Sequence, residues 1–300
     1  VKNGLLANLF QKFKNFNELV MFQHTAFSAT FILVAMVVAS LKVNFGVWVG
    51  TKTFLLCALA LISARNFAMT FNRLADRRYD VLNIRTKSRP SVDGRISFIA
   101  MSVFCALNAI IFIITSYFIN SLAFGLSLPF LFVLGGYSLM KRFSYFAHLV
   151  LGISLSLAPI AGCIAVLGSL EMWCLMLSIG VMFWVAGFDL LYSLQDMEFD
   201  LEHKLYSVPS RFGAKSTLYL SRIFHICTLF FWGAFICESR VLGAVSYLGL
   251  FVCALMLFYE QYLVHKDFKN IPKAFFATNG YLGFIFLAFV LADGVWHYGI

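Results

Sequence analysis

Asn72, Asp76 and Asp80 follow one another at intervals of four, and far downstream Asp196 and Asp200 repeat that interval after Asp189 and Tyr192. On a helix, residues four apart share a face and lie about 6 Å apart along the axis. Carboxylates stacked in this way repel one another and destabilise the helix unless a cation neutralises them. Donors that are all oxygen suit Mg²⁺, which takes one or two protein carboxylates and fills its shell with water and phosphate oxygens. Arg77, Arg78, Arg85, Lys87 and Arg89 stand beside the first set, and Lys141, Lys204 and Arg211 are further cations placed to meet it. Acid ladders with basic neighbours describe a metal-bridged diphosphate site. One such stretch alone reads equally well as a charged mark of the membrane edge, with Arg77 or Arg78 paired to Asp76 or Asp80. The repeat at Asp196 and Asp200 favours the metal site. Glu198 and Glu202 fall off that face and read as solvated, and Asp93, in VDGR, reads as a turn residue.

The chain that carries these acids is 61% hydrophobic and 12% charged, with a mean hydropathy of +0.85, which places it among polytopic membrane proteins. Apolar runs of roughly 20 residues, enough to cross a bilayer as helix, lie near 21–40, 48–70, 96–117, 121–139 and 144–167. Four more lie near 170–191, 216–237, 241–264 and 275–293. The expectation is one all-α domain over 1–300, with nine transmembrane helices around a polar cavity facing the cytoplasm. Residues 1–20, containing GLLANLFQKFKNF, read as an amphipathic segment on the lipid surface, and no cleavable signal pattern is visible.

Charge placement orients the chain. All of the 23 Lys and Arg residues except Lys42, Lys52 and Arg240 fall before the first span or around alternate loops thereafter. The positive-inside rule then puts the N-terminus and both acidic loops in the cytoplasm and the C-terminus outside. The net charge of +9 is explained by topology and an anionic substrate. No basic soluble domain exists to bind nucleic acid, so none is expected as a partner. The seven cysteines lack metal-type spacing and read as small core residues.

The two stretches resemble the signatures of the UbiA superfamily of intramembrane prenyltransferases. N-x-x-x-D-x-x-x-D followed by R-T and R-P is matched by Asn72, Asp76, Asp80, Arg85, Thr86, Arg89 and Pro90. D-x-x-Y-x-x-x-D-x-x-x-D is matched by Asp189, Tyr192, Asp196 and Asp200. FQHTAFS, YSLMKR at 137–142 and Asn279 in FFATNG extend the resemblance over nearly the whole chain. The wording of QDMEFD and SVPSRFG is similar to that of 4-hydroxybenzoate polyprenyltransferases and of their relatives that prenylate a dihydroxynaphthoate in menaquinone synthesis. One departure is Lys204, which stands where the family commonly has Gly, so that a flexible turn is lost or shifted and a cation is gained near the phosphates.

The resemblance implies an integral protein of the bacterial cytoplasmic (inner) membrane. It would transfer a polyprenyl group from polyprenyl diphosphate to a small aromatic carboxylic acid in respiratory quinone synthesis. Asn72, Asp76 and Asp80 would hold one Mg²⁺ and Asp196 and Asp200 another, clamping the diphosphate while the C1 to oxygen bond breaks. Arg77, Lys141 and Arg142 would add phosphate contacts, with Arg85, Arg89, Asp189 and Lys204 also lining the substrate site, and Tyr192 would steady the allylic cation. Arg65 is a candidate for the acceptor's carboxylate, and His24 and His148 read as polar helix contacts. The prenyl tail needs an opening to lipid that the sequence does not locate. Two rivals fit less well. A secondary transporter for an organic anion places its charges near the midplane on broken helices, whereas these acids end helices. A membrane phosphotransferase needs a D-G and A-R pattern absent around Asp76.

Overall fold

The computed structural model describes residues 2–21, 25–44 and 46–298. Among them the chain is helical with short connections: α1 (Lys2–Leu19), α2 (Thr25–Asn44), α3 (Thr51–Asp80), α4 (Phe98–Ile119), α5 (Ser121–Gly136) and α6 (Ala147–Leu167). Then follow α7 (Met172–Ser193), α8 (Met197–Glu202), α9 (Val208–Ser239), α10 (Ala244–Lys266), α11 (Ile271–Ala274) and α12 (Gly280–Tyr298). Helical backbone satisfies its own hydrogen bonds, which lipid cannot do for it.

Eight helical segments are long and apolar enough to cross a membrane among the described residues. The sequence reading of nine spans is corrected on this point. The ninth expected span corresponds to α2, whose apolar part among the described residues is Ser28–Val43. His24 and the start of FQHTAFS lie outside the described residues.

The helices close into a ring. Each of α3 to α7 packs on the next, α7 packs on α9, α9 on α10 and α10 on α12, and α12 returns to α2. The core between them is aromatic: Trp232 stacks on Phe286 at 4.9 Å, and Phe31 lies 5.1 Å from both Trp184 and Trp232. Small residues let the backbones approach, as is usual where lipid gives helices no hydrophobic drive to associate. A Cβ on Gly180 would collide with the Trp232 ring at Cδ1, and one on Gly152 with the Met182 carbonyl oxygen.

The ends of these helices build the site. α3 continues as helix to Asp80, so Asn72, Asp76 and Asp80 do share its face. The loop after it folds back: Thr86 Oγ1 donates to the Asp80 carbonyl at 2.7 Å, and Arg77 Nε donates to the Ser91 carbonyl at 3.0 Å. Asp93 accepts from the Arg95 backbone N–H at 3.0 Å, the turn role expected of it, and Arg95 reaches on to Glu18 of α1. Beyond α7 the helix tightens into a 3₁₀ turn over Leu194–Asp196 before α8. The second acid pair therefore does not ride one uninterrupted α-helix, contrary to its spacing. Leu205 N–H bonds the Asp200 carbonyl and Tyr206 N–H the Lys141 carbonyl, tying the acidic turn to the basic pair after α5. Lys204 sits at φ 53°, in the left-handed region. The turn that Gly favours is thus kept, with Lys in it, rather than lost or shifted.

Candidate active site

The ends of α3, α7 and α8, the loop after α3 and the 3₁₀ turn Tyr137–Arg142 enclose a polar cavity of about 220 Å³. It gathers Asn72, Asp76, Asp80, Asp189, Asp196 and Asp200 from stretches over a hundred positions apart. Arg85, Arg89, Lys141, Arg142 and Tyr192 line it too.

Four of the acids carry a fixed cation from another segment. Asp76 is 3.3 Å from Arg142, Asp80 is 2.8 Å from Arg89, Asp196 is 2.8 Å from Arg85 and Asp200 is 3.5 Å from Lys141. A buried carboxylate without such a partner would be strongly destabilising, and Asp80 and Asp200 are 6% and 2% exposed. Burial opposes the Arg85 charge, but Asp196 and Tyr192 outweigh it and hold that guanidinium above its ordinary value. Arg85 also lies over the Tyr192 ring, 5.7 Å from its centre.

Among the described residues no three His, Cys, Asp or Glu side chains are close enough to form a metal site by themselves. The donors nevertheless suit Mg²⁺. They are oxygens, in pairs that face a common space, and Asp200 Oδ2 is buried with no hydrogen bond, only Lys141 Nζ at 3.5 Å. Two carboxylates with phosphate oxygens and water are the usual Mg²⁺ shell. The Asn72 oxygen is engaged by Arg73 at 3.3 Å, while its amide donates to Asp76 at 3.0 Å.

Two expected phosphate contacts lie elsewhere. Arg77, one position past Asp76 and so about 100° round the helix, points away to Ser91 and does not line the cavity. Lys204 lines a separate depression beyond Asp200, with Arg211 and Ser210, because its left-handed turn carries it outward. Glu198 and Glu202 are exposed, as expected.

A second cavity, of about 450 Å³, shares Asn72, Arg85, Arg89, Tyr137, Asp189 and Tyr192 with the first. It runs on to Arg65, Val185, Phe188 and Phe275. Phe275, at the start of a π-helical turn over Phe275–Asn279, packs 4.8 Å from Tyr192 and 5.3 Å from Phe188. That turn is anchored behind by Asn279, which accepts from Trp184 at 2.9 Å and donates to the buried Glu260 at 2.7 Å. Arg65 Nε is buried with no partner. A third, apolar cavity of about 80 Å³ opens off Arg65 and Tyr137 between α2 and α6, lined by Ala60, Ala64, Phe112 and Ala158. Sequence reasoning missed Arg73, Asn83, Tyr137 and Phe275 as lining residues. For Arg73 a signal was present, because an arginine that belongs to an apolar segment is costly without a role.

A model of the UbiA prenyltransferase family matches residues 28–290. The chain belongs to that family. This UbiA prenyltransferase is 26% identical over 227 residues to a 4-hydroxybenzoate octaprenyltransferase of Tolumonas auensis, covering 76% of the chain and 79% of the relative. It is 28% identical over 237 residues to the enzyme of that name in Methylobacillus flagellatus, covering 76% and 77%. The apo structure of a UbiA homolog from Aeropyrum pernix K1 superposes with a TM-score of 0.81 at 28% identity, covering 90% of this chain and 98% of that one. A UbiA homolog from Archaeoglobus fulgidus bound to GPP and Mg²⁺ has the same fold, with a TM-score of 0.72 at 18% identity over 93% and 99% of the two chains.

Proposed function

We propose that this UbiA prenyltransferase moves a polyprenyl group from polyprenyl diphosphate to a 4-hydroxybenzoate-type acid, with Mg²⁺, in respiratory quinone biosynthesis. The observation that carries this reading is the joined pair of cavities, one holding four cation-paired acids and the other an arginine whose buried Nε has no partner, among aromatic rings. Relatives named for 4-hydroxybenzoate support the acceptor, and a fold neighbour bound to GPP and Mg²⁺ supports the donor and the metal.

Asp76 and Asp80 on α3, and Asp196 and Asp200 after α7, are the residues that would hold Mg²⁺. Bound there, the metal neutralises charge gathering on the leaving diphosphate. The chain's own part is an exchange of partners. Arg85, Arg89, Lys141 and Arg142 rest on the four acids, and a diphosphate in the cavity offers them phosphate oxygens instead, in charge-assisted hydrogen bonds. Tyr192 and Phe275 present ring faces beside the reacting carbon, where they stabilise positive charge and exclude water. The acceptor lies in the second cavity with its carboxylate on Arg65 and its phenol ring toward the diphosphate. The first isoprene units enter the apolar cavity beside Ala64 and Ala158, and the rest of the tail continues into the bilayer. The whole chain acts as one unit in the bacterial inner membrane, with the N-terminus and the diphosphate site on the cytoplasmic side and the C-terminus outside.

The test is an acceptor panel with membranes carrying the protein, a labelled polyprenyl diphosphate and Mg²⁺ or a chelator. Prenylated 4-hydroxybenzoate is expected, lost on chelation and in Asp76→Ala. Product with a dihydroxynaphthoate alone moves the enzyme to menaquinone synthesis, and no product with any aromatic acid overturns the reading.

A further inference from the structure

Five carboxylates line the diphosphate cavity, and one of them is held differently. Asp76, Asp80, Asp196 and Asp200 each face an arginine or lysine, whereas Asp189 faces an imidazole. His148 Nδ1 lies 2.7 Å from Asp189 Oδ2, and since a carboxylate only accepts, the imidazole donates. His148 is 2% exposed and its Nε2 is buried without a partner, so the ring serves Asp189 alone. No guanidinium or ammonium pairs with Asp189 among the described ion pairs, and one of its oxygens is left over.

Its place is as distinctive as its partner. Asp189 is the one carboxylate, among the described residues, that lines both the diphosphate cavity and the acceptor cavity. It stands one turn before Tyr192, on the stretch of α7 where the two spaces join. Aromatic prenylation needs a proton acceptor at that junction. The allylic C1 bonds to the ring carbon beside the hydroxyl while diphosphate leaves with the C–O electron pair. The C–H bond at that carbon then breaks, and its electrons restore the aromatic sextet. The proton must go to a group within hydrogen-bond reach, and a carboxylate committed to a metal or an arginine is a poor one.

We propose that Asp189 is the catalytic base that takes the ring proton, and that His148 is a positioning residue that aims its carboxylate. This rests on the aromatic-acceptor reading of the site. His148 sits on α6 and Asp189 on α7, so the aim of the base depends on how those two helices pack. That packing is fixed at Gly152, one turn from His148, where a Cβ would strike the Met182 carbonyl.

The experiment compares 4-hydroxybenzoate with its 3,5-dideuterated form, using the full-length protein in lipid nanodiscs with Mg²⁺ and geranyl diphosphate. In the wild type, loss of diphosphate limits the rate and the two acceptors react alike. In Asp189→Asn, turnover falls by about 100-fold or more, the share of a positioned base, and a primary isotope effect appears because proton loss has become limiting. His148→Leu shows the same signature more weakly, and His148→Asn, which can donate from nearly the same point, reverses it. The isotope effect is a ratio within one preparation, so a variant that folds poorly still reports it. Slow turnover in Asp189→Asn without an isotope effect, or unimpaired turnover, overturns the assignment. If the wild type prenylates no aromatic acid, the acceptor reading falls and the base assignment falls with it.

Discussion

Arg85 and Asp196 are joined by two hydrogen bonds, 3.1 Å from Nε and 2.8 Å from Nη2, linking the loop after α3 to the turn after α7. The two halves of the acidic site are thus clasped through a fork that also touches the Tyr192 hydroxyl at 3.4 Å. In the proposed mechanism, substrate opens this clasp and frees the guanidinium for phosphate. Arg85→Ala should raise KM for the prenyl diphosphate by about 10- to 100-fold, the 1.5–3 kcal/mol typical of a charged hydrogen bond. Arg85→Lys should restore part of that, since an ammonium cannot reproduce the fork. Steady-state kinetics with varied donor decides; an unchanged KM in Arg85→Ala removes the arginine from the donor site.

Arg65 offers the opposite test. Its Nε is buried unpaired at the far end of the acceptor cavity. Arg65→Met, close in length but uncharged, should raise KM for the aromatic acid by about 10-fold or more and leave that for the donor alone. A change confined to the donor would put the acceptor's carboxylate elsewhere.

Lys204 carries a backbone strain and no visible duty. At φ 53° a side chain costs about 1–2 kcal/mol over glycine, and Lys204 faces away from the acid cavity. Lys204→Gly should keep turnover near wild type and raise the thermal midpoint. Arg77→Ala, its guanidinium spent on Ser91, should also turn over normally. Loss of activity in either variant would mean that the resting arrangement conceals a phosphate contact.

Gly180→Ala tests the packing beneath the site. The added methyl collides with the Trp232 ring, and overpacking of this kind costs about 1–3 kcal/mol. Gly125→Ala, with nothing within 4 Å, is the control and should be neutral or better. Thermal unfolding in one detergent compares them, and equal midpoints would show that α7 and α9 can part without penalty.

Ala158→Phe should fill the small apolar cavity of about 80 Å³ beside Arg65. Turnover with a long polyprenyl diphosphate should fall while that with dimethylallyl diphosphate persists. Equal losses on both donors would mean that the tail leaves by another route.

The membrane-spanning helices and the first acid ladder were legible because each is a local pattern: apolar runs of bilayer length, and an interval of four on one helix. Ion-pair choice was not. Arg77 and Arg89 are the same residue type twelve positions apart in one charged stretch, yet one turns back to Ser91 and the other reaches Asp80. What separates them is the path of the loop after Asp80, fixed by Thr86 on the Asp80 carbonyl, a tertiary detail with no periodicity to betray it. The second ladder looked like the first, but its helix tightens at Leu194–Asp196, and spacing cannot distinguish an α turn from a 3₁₀ turn. His148 and Asp189 lie 41 positions apart, and nothing local in either stretch marks them as a pair.

The ring closes where α12 lies against α2, the latest and the earliest of the wall helices in chain order. α2 also packs across the bundle on α6, and its Phe31 meets Trp184, Trp232 and Phe286, which belong to α7, α9 and α12. An early helix thus receives its aromatic partners only from helices much later in the chain, and contacts of such long sequence separation make folding slow. Phe31 is the pin on which late segments are assembled.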